Sequence, residues 1–190
     1  MKLGLFGGRF DPPHLGHLLT AQHALETLEL DELWFVPAPA PPHKQTVAPA
    51  EARYTMLVLA TASHPALRVS RLELERPGTS YSIDTVLEVQ RRLPEATLHF
   101  ITGIDAYADI AHWHRAEELV SLVTMVAAPR PGYSLQELAP FFRQRVHVLP
   151  GLPIAISSSS IRQRLQQHQP IRYLVPELVE SYLAKHHFYC

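Results

Sequence analysis

An α/β fold with a doubly wound parallel sheet is the class this sequence predicts, on three observations. Short apolar runs alternate with stretches of helical periodicity along most of the 190 residues, which is the pattern of successive βα units. The run Leu122–Ala128 (LVTMVAA) has the character of a strand buried on both faces of a parallel sheet. The residues of strongest chemical character, Gly7–His17, Pro41–Lys44 and Gly103–Asp105, fall where strands end, and open parallel sheets bind ligands at the carboxyl ends of their strands. A Rossmann-like sheet with helices on both faces and a small C-terminal helical segment follows.

Each element has its own justification. Lys2–Phe6 (KLGLF) predicts a short buried strand stopped by Gly7-Gly8. Behind Pro12-Pro13, apolar residues at Leu15, Leu18, Leu19, Ala21, Leu25 and Leu28 recur at helical spacing and predict a helix from near His14. Glu32–Val36 predicts the second strand, ended by the proline-rich loop Pro37–Lys44, and Ala50–Ala62 the second helix. Leu67–Leu74 holds short strand-like segments. Ser82–Leu93 predicts a third helix and Leu98–Thr102 a third core strand. Gly103-Ile104-Asp105 then turns into a short helical region bearing His and Trp that ends near Leu119. Leu122–Ala128 and Val146–Leu149 are the last strands, and SSSSIRQRLQQ and PELVESYLAKHH predict two terminal helices from about residue 157. A single domain over residues 1–190 is expected.

Composition narrows the function. A chain of this length buries roughly 70% of its unfolded surface and needs no disulfide or metal staple. Lys and Arg number 17 against 18 Asp and Glu, a net charge of −1. That balance predicts no bulk attraction to nucleic acid or anionic membrane, so any anion binding must be local. The single cysteine, Cys190, allows no intrachain disulfide, and no apolar run approaches the ~20 residues of a membrane span. A cytoplasmic protein is the expectation. Neither G-x-G-x-x-G nor G-x-x-x-x-G-K-[ST] occurs, so the usual dinucleotide fingerprint and the P-loop are excluded.

The segment GGRFDPPHLGH, Gly7–His17, carries the chemistry. Gly7 and Gly8 permit close approach of backbone to a ligand. The prolines lead into a helix whose first amides and dipole favour an anion. His14 and His17 stand three apart, on one face of the first turn, where ring N–H groups would donate to phosphate oxygens. Asp11 with the two histidines also offers three metal ligand types, but a helix N-terminus attracts anions and repels cations. Position favours phosphate.

This stretch resembles the G-G-[ST]-F-D-P-x-H-x-G-H signature of the nucleotidyltransferase superfamily with the [HT]-x-G-H core. Within it the chain is similar to the bacterial nicotinate-mononucleotide adenylyltransferases. PPHK (Pro41–Lys44), SYSIDTV (Ser80–Val86), GIDAYADIAHWHRAEEL (Gly103–Leu119), PRPGY (Pro129–Tyr133) and ISSSSIRQRL (Ile156–Leu165) resemble that family's segments in its order. Arg9 departs from the pattern, standing where the family has Thr or Ser.

The resemblance implies adenylyl transfer from ATP to nicotinate mononucleotide, with pyrophosphate leaving. It assigns ATP to Gly7, Gly8, Phe10, His14, His17, Gly103, Asp105, Ile156, Ser157, Ser158, Ser159 and Arg162, with Asp105 on the adenosine ribose. Lys44, Ser82, Trp113 and His114 would hold the mononucleotide, Trp113 by stacking on its pyridine ring. His14, His17, Lys44 and Arg162 would stabilise charge at the reacting phosphorus. Physical chemistry supports parts of this independently: four serines and an arginine exceed what helix capping needs. The amides opening the Ser82 helix suit a pyridine carboxylate better than an amide. Mg²⁺ is expected on substrate phosphates and water rather than in a carboxylate cage. A homo-oligomer is compatible with the sequence. Three alternatives stand beside this reading: a related transferase for nicotinamide mononucleotide, phosphopantetheine or a cytidylyl substrate, a metal-dependent hydrolase built on Asp11, His14 and His17, and a non-catalytic nucleotide-binding module.

Overall fold

The computed structural model describes residues 1–39, 47–151 and 154–189. Six parallel strands form one sheet: β1 (Lys2–Gly8), β2 (Glu32–Pro37), β3 (Leu67–Val69), β4 (Thr97–Gly103), β5 (Thr124–Ala128) and β6 (Val146–Val148). Their spatial order is β3-β2-β1-β4-β5-β6. The register places Leu5 beside Trp34 on β2 and Phe100 on β4. The helices are α1 (Leu15–Thr27), α2 (Ala50–Thr61), α3 (Ser82–Arg92), α4 (Ile104–Tyr107), α5 (Ala116–Leu122), α6 (Pro140–Arg143), α7 (Ser158–Gln166) and α8 (Glu177–His186).

Alternation along the strands builds two cores, because successive side chains point to opposite faces. Leu3, Leu5, Leu98, Phe100 and Met125 face α3 and α5, meeting Ile83, Val86, Val89, Leu119 and Val120. Phe6, Leu33, Phe35, Ile101 and Val126 face the other way, onto Ala21, Ala24 and Leu25 of α1 and Leu57 of α2. Burying one such side chain fully contributes about 1.5–3 kcal/mol. A third cluster joins α7 and α8 to α2, through Ile161, Val179, Leu183 and Met56. The predicted doubly wound sheet and C-terminal helical segment are therefore present.

Three local expectations are corrected. β1 does not stop at Gly7-Gly8; both residues pair with β2, opposite Val36 and Pro37. A Cβ at Gly7 would meet the Phe100 ring at 2.9 Å, and one at Gly8 the Phe10 ring at 2.9 Å. The glycines are needed for aromatic packing at the strand end, not to turn the chain. Only Leu67–Val69 of the 67–74 stretch is strand; the chain then turns so that Glu73 points inward and is buried. Leu122 closes α5, and β5 begins at Thr124.

The chain winds outward from β1 to β2 and β3 on one side, and from β4 to β5 and β6 on the other. The carboxyl ends of β1 and β4 are therefore the point where connections diverge and a crevice opens.

Candidate functional site

A cavity of about 610 Å³ occupies this crevice, within the range of small-molecule sites. Gly7, Gly8 and Gly103 line its floor, with Phe10, Ile156 and Asp105 on its walls. Its two ends differ in chemistry.

One end is built around His14 and His17. His14 precedes α1 in extended conformation, with φ −145° and ψ 169°. The two imidazoles stack with centroids 3.6 Å apart and planes at 22°. The His14 amide donates to His17 Nδ1 at 3.1 Å, so neutral His17 carries its proton on Nε2 and can donate there. His14 is only 2% exposed. Neither of its ring nitrogens finds a partner among the described residues, an arrangement that a ligand oxygen would relieve. Burial, reinforced by the positive charge of Arg130, lowers the His14 pKa to about 3. Burial, then His14, then Arg130 hold His17 well below its ordinary value as well. Both rings are neutral donors at physiological pH.

The helix amides contribute less than expected. Leu15 donates its amide to the Leu174 carbonyl at 2.9 Å, and His17 donates back to the His14 carbonyl at 2.9 Å. The imidazoles, rather than these amides, supply the donors. The serine segment adjoins the loop that carries His14. Ser157 caps α7, accepting from the Ser160 amide at 3.1 Å, while Ser158 and Ser159 also line the cavity. Ser158 donates its hydroxyl to the Pro12 carbonyl at 2.8 Å, fastening α7 to the histidine loop. Arg162 does not itself line the cavity; its fork donates to the Asp11 carbonyl at 2.8 Å and, at 3.4 Å, to the hydroxyl of the lining residue Ser159.

Asp11 itself is committed elsewhere. Its carboxylate accepts the amides of Val47 at 2.8 Å and Ala48 at 3.1 Å, and the Tyr189 hydroxyl at 2.6 Å. Among the described residues no cluster of three His, Cys, Asp or Glu side chains could hold a metal ion, so Asp11, His14 and His17 do not converge as the hydrolase alternative requires. Lys44 lies outside the described residues.

The other end of the cavity is aromatic. Trp113 stacks on Tyr107, centroids 5.7 Å apart and planes at 18°. Tyr107 is held in turn by its buried hydroxyl, which donates to the carbonyls of Phe100 and Val126 at 3.2 Å each. His114 lies tilted against Tyr81, centroids 4.4 Å apart. This pair joins the Trp113 segment to the start of α3, where Ser82 lines the cavity. Of the first-turn amides of α3, those of Asp84 and Thr85 return to the Tyr81 carbonyl, and Ser82 stands at the open end.

Arg130 and Glu73 are among the lining residues that the sequence did not single out. Arg130, just beyond β5, lines the cavity and pairs loosely with Asp105 at 3.4 Å; its strand-end position within PRPGY was the available signal. Glu73 lines the cavity together with Tyr81 and Ser82, accepting the Thr85 hydroxyl at 2.8 Å. Burial raises its pKa. Nothing local in LELERPG marks that glutamate as buried.

Comparison with known proteins follows this geometry. Residues 5–164 match the family described as cytidylyltransferase-like. A Thermus thermophilus protein named probable nicotinate-nucleotide adenylyltransferase is 52% identical over 194 residues, covering 100% of both chains. A Geobacillus thermodenitrificans protein of the same name is 44% identical, over 99% of this chain and 86% of its own. Among solved structures, Plasmodium falciparum nicotinic acid mononucleotide adenylyltransferase complexed with NaAD superposes with a TM-score of 0.84. At 19% identity over 99% of this chain and 97% of that one, it bears on the fold alone.

Proposed function

The chain belongs to the cytidylyltransferase-like family, and we propose that its cavity joins ATP to nicotinate mononucleotide, forming nicotinate adenine dinucleotide and pyrophosphate. The full-length relatives carry the name of that activity. The observation that carries the chemistry is the pair of neutral imidazoles, His14 buried and His17 partly so, lining one cavity with Arg130 and the serines of α7.

The mononucleotide phosphate is anionic at neutral pH and is itself the nucleophile, so no side chain need remove a proton. One of its oxygens bonds to the α-phosphorus of ATP as the bond to the bridging oxygen breaks, and that electron pair leaves with pyrophosphate. The work of the protein is alignment and charge stabilisation. His17 Nε2 and the His14 ring donate to phosphoryl oxygens, while Arg130 balances charge that grows in the transition state. The amides of Ser158 and Ser159 and the Ser159 hydroxyl receive the leaving phosphates at the start of α7, while the hydroxyls of Ser157 and Ser158 hold Ser160 and Pro12. Arg162 acts from behind, holding Ser159 and the Asp11 carbonyl in place. Asp105, freed from its loose contact with Arg130, accepts the ribose hydroxyls. Gly7, Gly8, Gly103, Phe10 and Ile156 shape the adenosine side.

At the far end, Trp113 offers its face to the electron-poor pyridine ring. The Ser82 end of α3 presents donors to the carboxylate that distinguishes the acid from its amide. Mg²⁺ would be held by phosphate oxygens of ATP and by water, where it would neutralise charge; no cluster of three His, Cys, Asp or Glu side chains among the described residues offers it a protein cage.

Pyrophosphate release with Mg²⁺ and ATP, measured in parallel with nicotinate and nicotinamide mononucleotides, tests the reading. Release with the acid and little with the amide is expected. Equal rates would remove the carboxylate role of Ser82, and silence with both acceptors would overturn the assignment.

A further inference from the structure

We propose that Tyr189 is a positioning residue for the histidine loop, acting through Asp11. The inference rests on the functional reading above, because it treats His14 and His17 as the groups whose placement matters.

The loop from Arg9 to His14 is held almost entirely by segments remote in sequence. Arg53, fully buried, donates to the Arg9 carbonyl at 2.6 Å. Arg162 reaches the Asp11 carbonyl at 2.8 Å and Ser158 the Pro12 carbonyl at 2.8 Å. Asp11, 2% exposed, completes the set by accepting the Val47 and Ala48 amides and, at 2.6 Å, the hydroxyl of Tyr189, 178 residues away. Such hydrogen bonds to an ionised group are roughly twice as strong as neutral ones.

The Tyr189 hydroxyl is the telling atom. Its ring is 3% exposed and packs in the apolar cluster of Ile161, Val179 and Leu183. Packing alone accepts phenylalanine there, as the adjacent Phe188 shows by lying against the same cluster. A hydroxyl inside apolar surroundings costs free energy unless it is bonded, and its bond goes to the carboxylate three residues before His14. The C-terminal cluster is thereby linked to the reacting groups. Displacing the loop by an ångström is enough to cost about 10²-fold in rate.

Tyr189→Phe removes the bond and keeps the ring. The expected result is a fall of about tenfold in kcat, with KM for the mononucleotide within about twofold, since Trp113 and Ser82 do not contact Asp11. Leu183→Ala serves as the comparison, because it loosens the same cluster without touching Asp11. It should lower Tm while leaving kcat near the parent value below the transition. In an Asp11→Asn background, Tyr189→Phe should add little. A second readout needs no substrate: the imidazole NMR signals of His14 and His17 should shift in Tyr189→Phe and stay in place in Leu183→Ala.

Unchanged kcat and unchanged imidazole signals in Tyr189→Phe would overturn the proposal. So would losses of kcat in both variants that simply track Tm. Should the parent protein release no pyrophosphate, the functional reading fails by itself, and the imidazole signals still decide whether Tyr189 orders the loop.

Discussion

His14, at one end of the cavity, is 2% exposed and sits in a loop whose carbonyls are held by Arg53, Arg162 and Ser158. At the other end, Trp113 is half-buried, His114 is exposed, and the contacts between them and their neighbours are aromatic faces. The two ends ask different things of a protein. Stabilising charge at a reacting phosphorus needs donors already fixed before the reaction begins. Holding a flat ring needs surface, which tolerates small shifts. The histidine loop is accordingly tied by polar bonds from remote segments, and substitutions at the two ends should separate in kcat and KM.

The largest effect should come from His17→Ala. Loss of one fixed donor to a developing oxyanion costs about 10²–10³-fold in turnover. Steady-state kinetics should show that fall in kcat with little change in KM for the mononucleotide, and circular dichroism should show the fold retained. A variant with near-parental turnover would dissolve the distinction between the two ends.

The next effect appears in stability against pH. His14 has a folded pKa of about 3 against an ordinary 6.5, chiefly through burial. Above pH 6.5 the ring is neutral in both states and stability is unaffected. Below 6.5 the unfolded chain takes up a proton that the folded protein refuses, so stability falls progressively until pH approaches 3. At pH 5 the loss from His14 alone is about 2 kcal/mol, and His17, shifted in the same direction, adds to it. Denaturant unfolding of the ligand-free protein at pH 7 and pH 5 measures this. Inorganic triphosphate should flatten the dependence, because an anion against the rings favours their protonated form. A slope that triphosphate does not alter would separate these histidines from phosphate.

Much of this was legible in the sequence, for reasons that also explain what was hidden. The alternation of Leu3, Leu5 and Phe6 around Gly4 and the unbroken run after Leu122 carry the strand periodicity directly. The chemistry at strand ends follows from topology, which groups the histidine loop with Gly103–Asp105; the α7 serines came from the family resemblance, and all of them line one cavity. What stayed hidden depends on long-range partners. Asp11 had no partner visible in the sequence; its carboxylate meets Val47, Ala48 and Tyr189. The amides of Leu15 and His17 looked open until Leu174 and His14 supplied carbonyls. Glu73 carries no local signal in the sequence, and the turn after β3 buries it against the Thr85 hydroxyl. No periodicity encodes such meetings.

At the aromatic end, Trp113→Ala should raise KM for the mononucleotide about tenfold, as stacking of a base on an aromatic side chain contributes about 1–3 kcal/mol. Turnover at saturation should change by less than about threefold, since the phosphate donors are untouched. The acid and amide acceptors should lose affinity in the same proportion, because the indole meets the ring and not its substituent. A large fall in kcat would mean that Trp113 aligns the reacting phosphate too, and the two ends would no longer be separable.

The smallest effect should come from Thr85→Val, which keeps shape and removes one hydroxyl. Thr85 donates to Glu73 at 2.8 Å and accepts from Arg76 at 3.0 Å, and Arg76 also donates to Ser80. These bonds tie the turn after β3 to the segment that opens α3. Their loss loosens the Tyr81–Ser82 approach to the cavity. Yet α3 is held chiefly by apolar packing, with Ile83, Val86 and Val89 fully buried against the sheet. KM for nicotinate mononucleotide should therefore rise about threefold and kcat stay within about twofold, a change worth less than 1 kcal/mol. Competition kinetics between the acid and amide mononucleotides read it most finely. The acid should lose more, because only its carboxylate uses the donors at the start of α3. Equal losses would place recognition of the carboxylate away from Ser82.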